Sequence, residues 1–305
     1  MFINDLPSIF DNTVDILLFA DDAKIFSTIY SPSDALNLQA KLDKFVIWTH
    51  QNSLSLNINK CNVITVSRID NPISFDYKID NCFVTRATSI RDLGIIIDCN
   101  LSFITHINTI TKKSFKMLGF INRNTVNFKN VNALKILFSA LVRSHLEFGS
   151  IVWSPSYNTF INTIENVQLK FLKLLCYKLN IPLISKNSYN MRMSELSFIS
   201  CEVRRKVADI MFIYDLLNGH IFSPDMLSMI SFNTANHCLR KSNLFHVPFY
   251  NNNYSSTCYF PRVIKVSGGF YYPYDLENYL TDLLEIQHRY SATSEEGQNR
   301  HENPI

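Results

Sequence analysis

Asp21 and Asp22 end the run Phe19-Ala20-Asp21-Asp22 near the amino terminus. Two carboxylates at the tip of an apolar strand are what a site needs to hold a divalent metal beside a phosphate. Apolar residues on both sides, Ile16 to Ala20 and then Ile25 and Phe26, predict strand, tight turn, strand with the aspartates in the turn. Such a hairpin pushes both side chains out of the packed sheet. The pair also has an ordinary reading, a polar turn in which Asp bonds its own backbone, and the local sequence alone favours it.

The elements that must position this tip follow directly. Ser31 can cap a helix, Pro32 suits its first position and Asp34 suits the positive end of its dipole. Ala35, Leu38, Leu42, Phe45, Val46 and Thr49 then share one face, which predicts an amphipathic helix of about five turns covering a sheet. Strands are expected at Val63–Val66, at Ile73-Phe75-Tyr77-Ile79, at Phe83-Val84 and at Leu93–Ile97, with Asp80-Asn81 as a hairpin turn. The first hundred residues therefore read as α+β.

Beyond Asn100 the period becomes helical. Ile107, Ile110, Ser114, Leu118 and Ile121 form one stripe, with Lys112, Lys116 and Arg123 on the opposite side. Val131 to Val142 and Ile164 to Leu175 predict two more helices. A fourth contains Val203 to Leu217 and ends at Asn218-Gly219. Arg204, Arg205 and Lys206 fall in its first turn, where cations oppose the dipole and point to an anionic partner. From about Asn233 the pattern weakens: 249–262 reads as turns and short extended pieces, Tyr279–Tyr290 as one more helix, and 291–305 as a polar, disordered tail.

Composition bounds the function. The 305 residues, 47% hydrophobic, suffice for a sizeable core and two domains, while a formal net charge of +3 does not by itself announce a nucleic-acid binder. No apolar run approaches the roughly 20 residues of a membrane span. Acidic residues Asp5, Asp11 and Asp15 stand where a secretory leader would be basic and apolar, so the expected compartment is cytoplasmic or nuclear. The seven cysteines are scattered, without the spacing of a zinc site or a disulfide framework. Trp48, Trp153 and most Phe and Tyr residues read as core.

The segments "FINDLP", "LFADD" and "WTHQNSLSLNINKCNVITVSR" resemble the reverse transcriptases of non-LTR retrotransposons, jockey-like elements among them. "LGIIIDCNLSFITHINTITKKSFKMLGFINR", "ALVRSHLEFGSIVWSP", "IENVQLKFLK" and "RRKVADIMFIYDLLNGHIFSPDMLSMISF" extend the resemblance, in the family's order, over roughly residues 1 to 262. That ordered series is more specific than the aspartate pair alone. It implies an RNA-directed DNA polymerase: an α+β fold with an incomplete palm (1–100), a mainly α-helical thumb-like region (101–232), an irregular extension (233–290) and the tail (291–305). The resemblance makes Asp21 a direct ligand of catalytic Mg²⁺ with Asp22 assisting, and places Lys60 where a basic palm residue approaches the nucleotide's phosphates. It sets the Leu93-Gly94-Ile95 hairpin near a DNA primer, and Lys112, Lys113, Lys116 and Arg123 along an RNA template and its primer. For Lys60 and for the basic helix face, a solvated surface is the ordinary alternative.

A complete polymerase of this kind also needs an aspartate from an upstream strand, fingers and a template-gripping segment, all of which precede "FINDLP". Asp5, Asp11 and Asp15 lead into the same hairpin and do not replace that aspartate. The chain alone is therefore expected to be catalytically inactive, with Mg²⁺ a cofactor only of a complete enzyme. The sheet of the Asp15–Ala20 strand is expected to have an open edge and an uncovered face. The alternatives are a non-catalytic module that binds nucleic acid or a protein and, ranked last because it explains none of the downstream segments, an unrelated metal-dependent phosphodiesterase.

Overall fold

The computed structural model describes residues 3, 5–11, 13–180, 189–233, 244–246, 249–251 and 253–266; the helix expected at Tyr279–Tyr290 and the tail at 291–305 lie outside them. The fold is mixed α+β, mostly helical, with small two-stranded sheets. The chain divides into two compact units between Thr105 and His106.

In the first unit β1 (Asp15–Phe19) pairs antiparallel with β2 (Asp22–Phe26), and α1 (Pro32–Gln51) follows. The helix begins where its capping residues are: the Asp34 carboxylate accepts the backbone N–H of Tyr30 at 2.9 Å and of Ser31 at 2.8 Å. Bonds to the Ser31 hydroxyl and to those two amides hold its pKa below the ordinary carboxylate value. Phe45 and Trp48 of α1 form a small core with Leu6, against which Ile16, Leu18 and Ile25 of the hairpin pack. Lys41 is buried on α1 yet paired with Asp11, and the Trp48 indole donates to Asp5 at 3.1 Å. Two of the leading aspartates thus fasten the chain ahead of β1 to the helix.

The remaining strands are shorter than the alternation suggests. β3 (Asn62–Val63) pairs parallel with β6 (Thr85–Arg86), β4 (Lys78–Ile79) antiparallel with β5 (Cys82–Phe83), and β7 (Ser89–Asp92) antiparallel with β8 (Ile95–Asp98). The expected strand from Ile73 survives only at its last two residues. The Gln39 side chain occupies β4, accepting Lys78 N–H at 2.9 Å and donating to Lys78 C=O at 3.0 Å as a neighbouring strand would. Asp80 and Asn81, at φ +48° and +62°, make the expected β4–β5 turn. After β8 the Asp98 carboxylate accepts from Asn100, Ser102 and Phe103, which organises the loop preceding the next helix. Burial raises its pKa, but these bonds together outweigh that and hold it below the usual value.

The helical part comprises α2 (Ile104–Asn124), α3 (Val131–Phe138), α4 (Ser144–Glu147), α5 (Ser150–Trp153), α6 (Asn158–Lys178), α7 (Tyr189–Glu195), α8 (Cys201–Leu217), α9 (Pro224–Ser228), α10 (Asn253–Thr257) and α11 (Tyr259–Val266). The single helix expected over Val131–Val142 is instead α3 running into a π-helical turn at Ser139–Arg143 and then α4. Phe138 stacks on Phe171 of α6, centroids 4.1 Å apart, with Phe198 edge-on to both. Trp153 is buried against His106. Residues 249–262, expected as turns, contain α10 and the start of α11. Pro261 does not break the second of these helices: it is third in α11, within the first turn, where a missing N–H costs nothing.

For Arg204 and Lys206 the suspected anionic partner is supplied by the chain itself. Arg204 Nε meets Glu147 Oε1 at 2.5 Å, and Lys206 meets Glu202 at 2.7 Å. Glu165 of α6 accepts the Glu202 N–H at 2.7 Å and Ser200 accepts that of Val203 at 3.2 Å, so the α8 amino terminus is already capped. One turn further in, Asp209 binds Arg262 of α11 bidentately at 2.9 Å for each bond, and Arg262 also donates to the Ile151 carbonyl at 2.9 Å. Burial pushes the Asp209 carboxyl above its ordinary pKa, against the pull of Arg262. Arg205 is 1% exposed, and its three guanidinium nitrogens have no hydrogen-bond partner among the described residues.

A buried guanidinium without acceptors is a net cost, whereas breaking a buried pair strands a charge. Arg205→Met is expected to leave stability unchanged or raise it. Asp209→Asn, which strands Arg262, is expected to cost about 3–5 kcal/mol in urea unfolding. A loss above about 2 kcal/mol in Arg205→Met would show that its charge, which acts on Asp209, stabilises the fold despite the missing hydrogen bonds.

Candidate functional site

The hairpin register places the acidic pair. Phe19 pairs with Asp22, so the turn is Ala20-Asp21 and only Asp21 belongs to it; Asp22, expected in the turn, opens β2. Ala20 sits at φ +53°, a left-handed conformation that costs an alanine roughly 1 kcal/mol and that glycine or asparagine would adopt more easily. Strand alternation turns Ile16, Leu18 and Ile25 toward α1. It turns Asp15, Leu17 and Phe19, with their cross-strand partners Phe26, Lys24 and Asp22, to the other side. Asp21 and Asp22 are both exposed. Lys24 closes on Asp92 of β7 at 2.6 Å, tying this hairpin to the β7–β8 hairpin.

Among the described residues no group of three or more His, Cys, Asp or Glu side chains could hold a metal ion. Mg²⁺ asks for near-octahedral oxygen donors. Two neighbouring carboxylates, one on a turn and one on a strand, do not fit that requirement alone, and Asp5 and Asp11 are committed to Trp48 and Lys41. Lys60 ends the single 3-10 turn Ile58–Lys60 and is exposed. The Leu93-Gly94 turn between β7 and β8 has both residues at positive φ, +43° and +92°.

The second candidate surface is α2. Its buried residues include Ile107, Ile110, Ser114, Leu118 and Ile121, the expected apolar stripe, while Lys112, Lys113, Lys116 and Arg123 are exposed. At about 100° per residue Lys112, Lys116 and Arg123 lie within about 40° of one another, opposite the buried stripe. Lys113 stands at the edge of this face, near enough to His145 that its charge, after burial, lowers the imidazole pKa. The Arg123 guanidinium folds back over Gly119, with Nη1 3.6 Å from where a Cβ would stand. None of these cations has an ion pair on this helix, and the chain explains why. Between Asp98 and Glu147 there is no acidic residue, only Lys112, Lys113, Lys116, Arg123, Lys129, Lys135 and Arg143. This charge segregation is the signal that periodicity alone leaves unread.

Comparison with known proteins finds distant similarity. The chain is 26% identical over 141 residues to an uncharacterized protein of Caenorhabditis elegans, an alignment covering 46% of this chain and 69% of that protein. It is also 26% identical over 183 residues to the RNA-directed DNA polymerase from the mobile element jockey of Drosophila funebris, covering 56% of this chain. The match spans only 19% of the length of that polymerase. No protein-family profile and no solved structure matches the chain. No helix among the described residues is long and apolar enough to cross a membrane.

The open side of the hairpin is apolar, with Leu17 56%, Phe19 59% and Phe26 46% exposed. Leu17→Glu with Phe26→Lys would face Lys24 and Asp15 respectively, forming opposite-charge cross-strand pairs. This double variant is expected to reduce aggregation in light scattering while moving stability by less than about 0.5 kcal/mol. A drop in melting temperature would mean that this side is packed in the folded chain.

Proposed function

We propose that this chain is a polypeptide of non-LTR retrotransposon reverse-transcriptase descent that holds nucleic acid but does not polymerise on its own. In this reading residues 1–100 are the later part of a palm and 101–232 a thumb-like region, with 233–290 and 291–305 as an appended extension and tail. The observation that carries it is the antiparallel hairpin presenting Asp21 and Asp22 at an exposed tip, within a chain distantly similar to a jockey polymerase. Asp21 would be a direct ligand, and Asp22 an assisting one, of the Mg²⁺ that a complete enzyme uses to activate a primer hydroxyl and neutralise the triphosphate. Lys60 would approach the nucleotide's phosphates. The strained Ala20 fits a tip whose direction matters more than its stability.

The acid-free basic face of α2 supports the nucleic-acid-holding role, a grip on a phosphate backbone. Lys112, Lys113, Lys116 and Arg123 would follow the RNA template and its DNA primer without reading sequence.

Primer extension on an RNA template with Mg²⁺ is expected to give no product with this chain, and filter binding is expected to give affinity at low salt that falls steeply as salt rises. Extension abolished by Asp21→Asn would overturn the inactive assignment. Absence of binding at low salt would remove the nucleic-acid role.

A further inference from the structure

We propose that the basic face of α2 is a platform for single-stranded nucleic acid, on which Phe120 stacks a base while Lys112, Lys116 and Arg123 hold the flanking phosphates. This rests on the nucleic-acid role proposed for the same helix, narrows its ligand from a paired template and primer to an unpaired strand, and adds the residue that senses it. Phe120 is 47% exposed, and it stands about 40° around the helix from Lys116, between that residue and Lys113. An isolated exposed phenylalanine is ordinary. What distinguishes this one is its place among Lys113, Lys116 and Arg123 in a stretch of chain that carries no Asp or Glu between Asp98 and Glu147.

Helical side chains lean toward the preceding turn, so the Phe120 ring inclines toward Lys116, one turn back. Gly119 borders the basic stripe on the side away from Phe120, and the Arg123 guanidinium folds back toward it, so no side chain larger than the cations themselves stands on that flank. A duplex offers such a surface phosphates alone, because its base faces are stacked away, and would leave the ring idle in water. An unpaired strand offers a phosphate and a base face together, and its π-face suits an aromatic ring whatever the base. Lys112 to Arg123 spans about 16 Å of helix axis, enough for a short run of nucleotides rather than a single one.

Fluorescence anisotropy across a salt series tests this with the full chain, a labelled oligouridylate, and the duplex of the same strand with oligoadenylate. The single strand is expected to bind more tightly. Phe120→Ala should weaken single-strand binding about five- to a hundredfold with an unchanged salt slope. Phe120→Leu should remain weak, whereas Phe120→Trp should restore binding, with its indole emission quenched on saturation. Lys116→Ala should instead flatten the salt slope by about one phosphate contact. Binding that is salt-dependent but indifferent to Phe120→Ala, equal in Phe120→Leu, or as tight for the duplex would overturn the stacking platform while leaving the nucleic-acid role standing. No binding of either probe at low salt would overturn both.

Discussion

Everything the acidic tip can do depends on the one-sided packing of the β1–β2 hairpin. Ile16, Leu18 and Ile25 anchor it to Phe45 and Trp48 of α1, and no third strand joins either edge among the described residues. A two-stranded ribbon is marginal in water and needs such a support to persist. The anchoring leaves the tip itself unconstrained from the other side. Asp21 and Asp22 are therefore presented rather than enclosed, whereas Asp5 and Asp11, a few residues earlier, are spent on Trp48 and Lys41 to keep the ribbon attached.

The second unit solves its electrostatics differently. Its buried charges are concentrated around α8, where Arg262 reaches across to Asp209 and to the Ile151 carbonyl, and Glu165 caps the helix start. These bonds hold α11 onto α8 by directed contacts as well as by the apolar group of Ile210, Ile213, Val263 and Ile264. Burial of the Asp209 carboxyl opposes its charge, so the pair is a specifying contact more than a source of net stability.

Local capping and periodicity make much of this legible in the sequence. Ser31-Pro32-Ser33-Asp34 announces α1 because each residue solves a separate problem of the helix start, and the stripe Ile107 to Ile121 is readable because a helix repeats its face reliably. Strand lengths are not readable in this way. Tyr77 and Ile79 alternate as a strand should, yet the Gln39 amide, distant in sequence, takes the backbone bonds of Lys78 on the edge away from β5, where a third strand would have paired. The partner of Arg204 is equally hidden, because Glu147 is far away in sequence and nothing local points to it. Asp22 lies one position outside the turn because register, which no single strand reveals, decides where a turn ends.

The chain's cations fall into two kinds. Arg204 and Lys206 belong to the more suggestive cluster by sequence, since three consecutive cations oppose a helix dipole, but each already has a carboxylate within the fold. The cations of α2 sit in a stretch without a single Asp or Glu, so no carboxylate adjacent in sequence neutralises them. At a modest net charge of +3 for the chain, this concentration of one sign on one helix is what creates a field able to attract a polyanion. The charge of a cluster matters less than whether the fold already balances it, and that is why the proposed nucleic-acid role is placed on α2 rather than on α8.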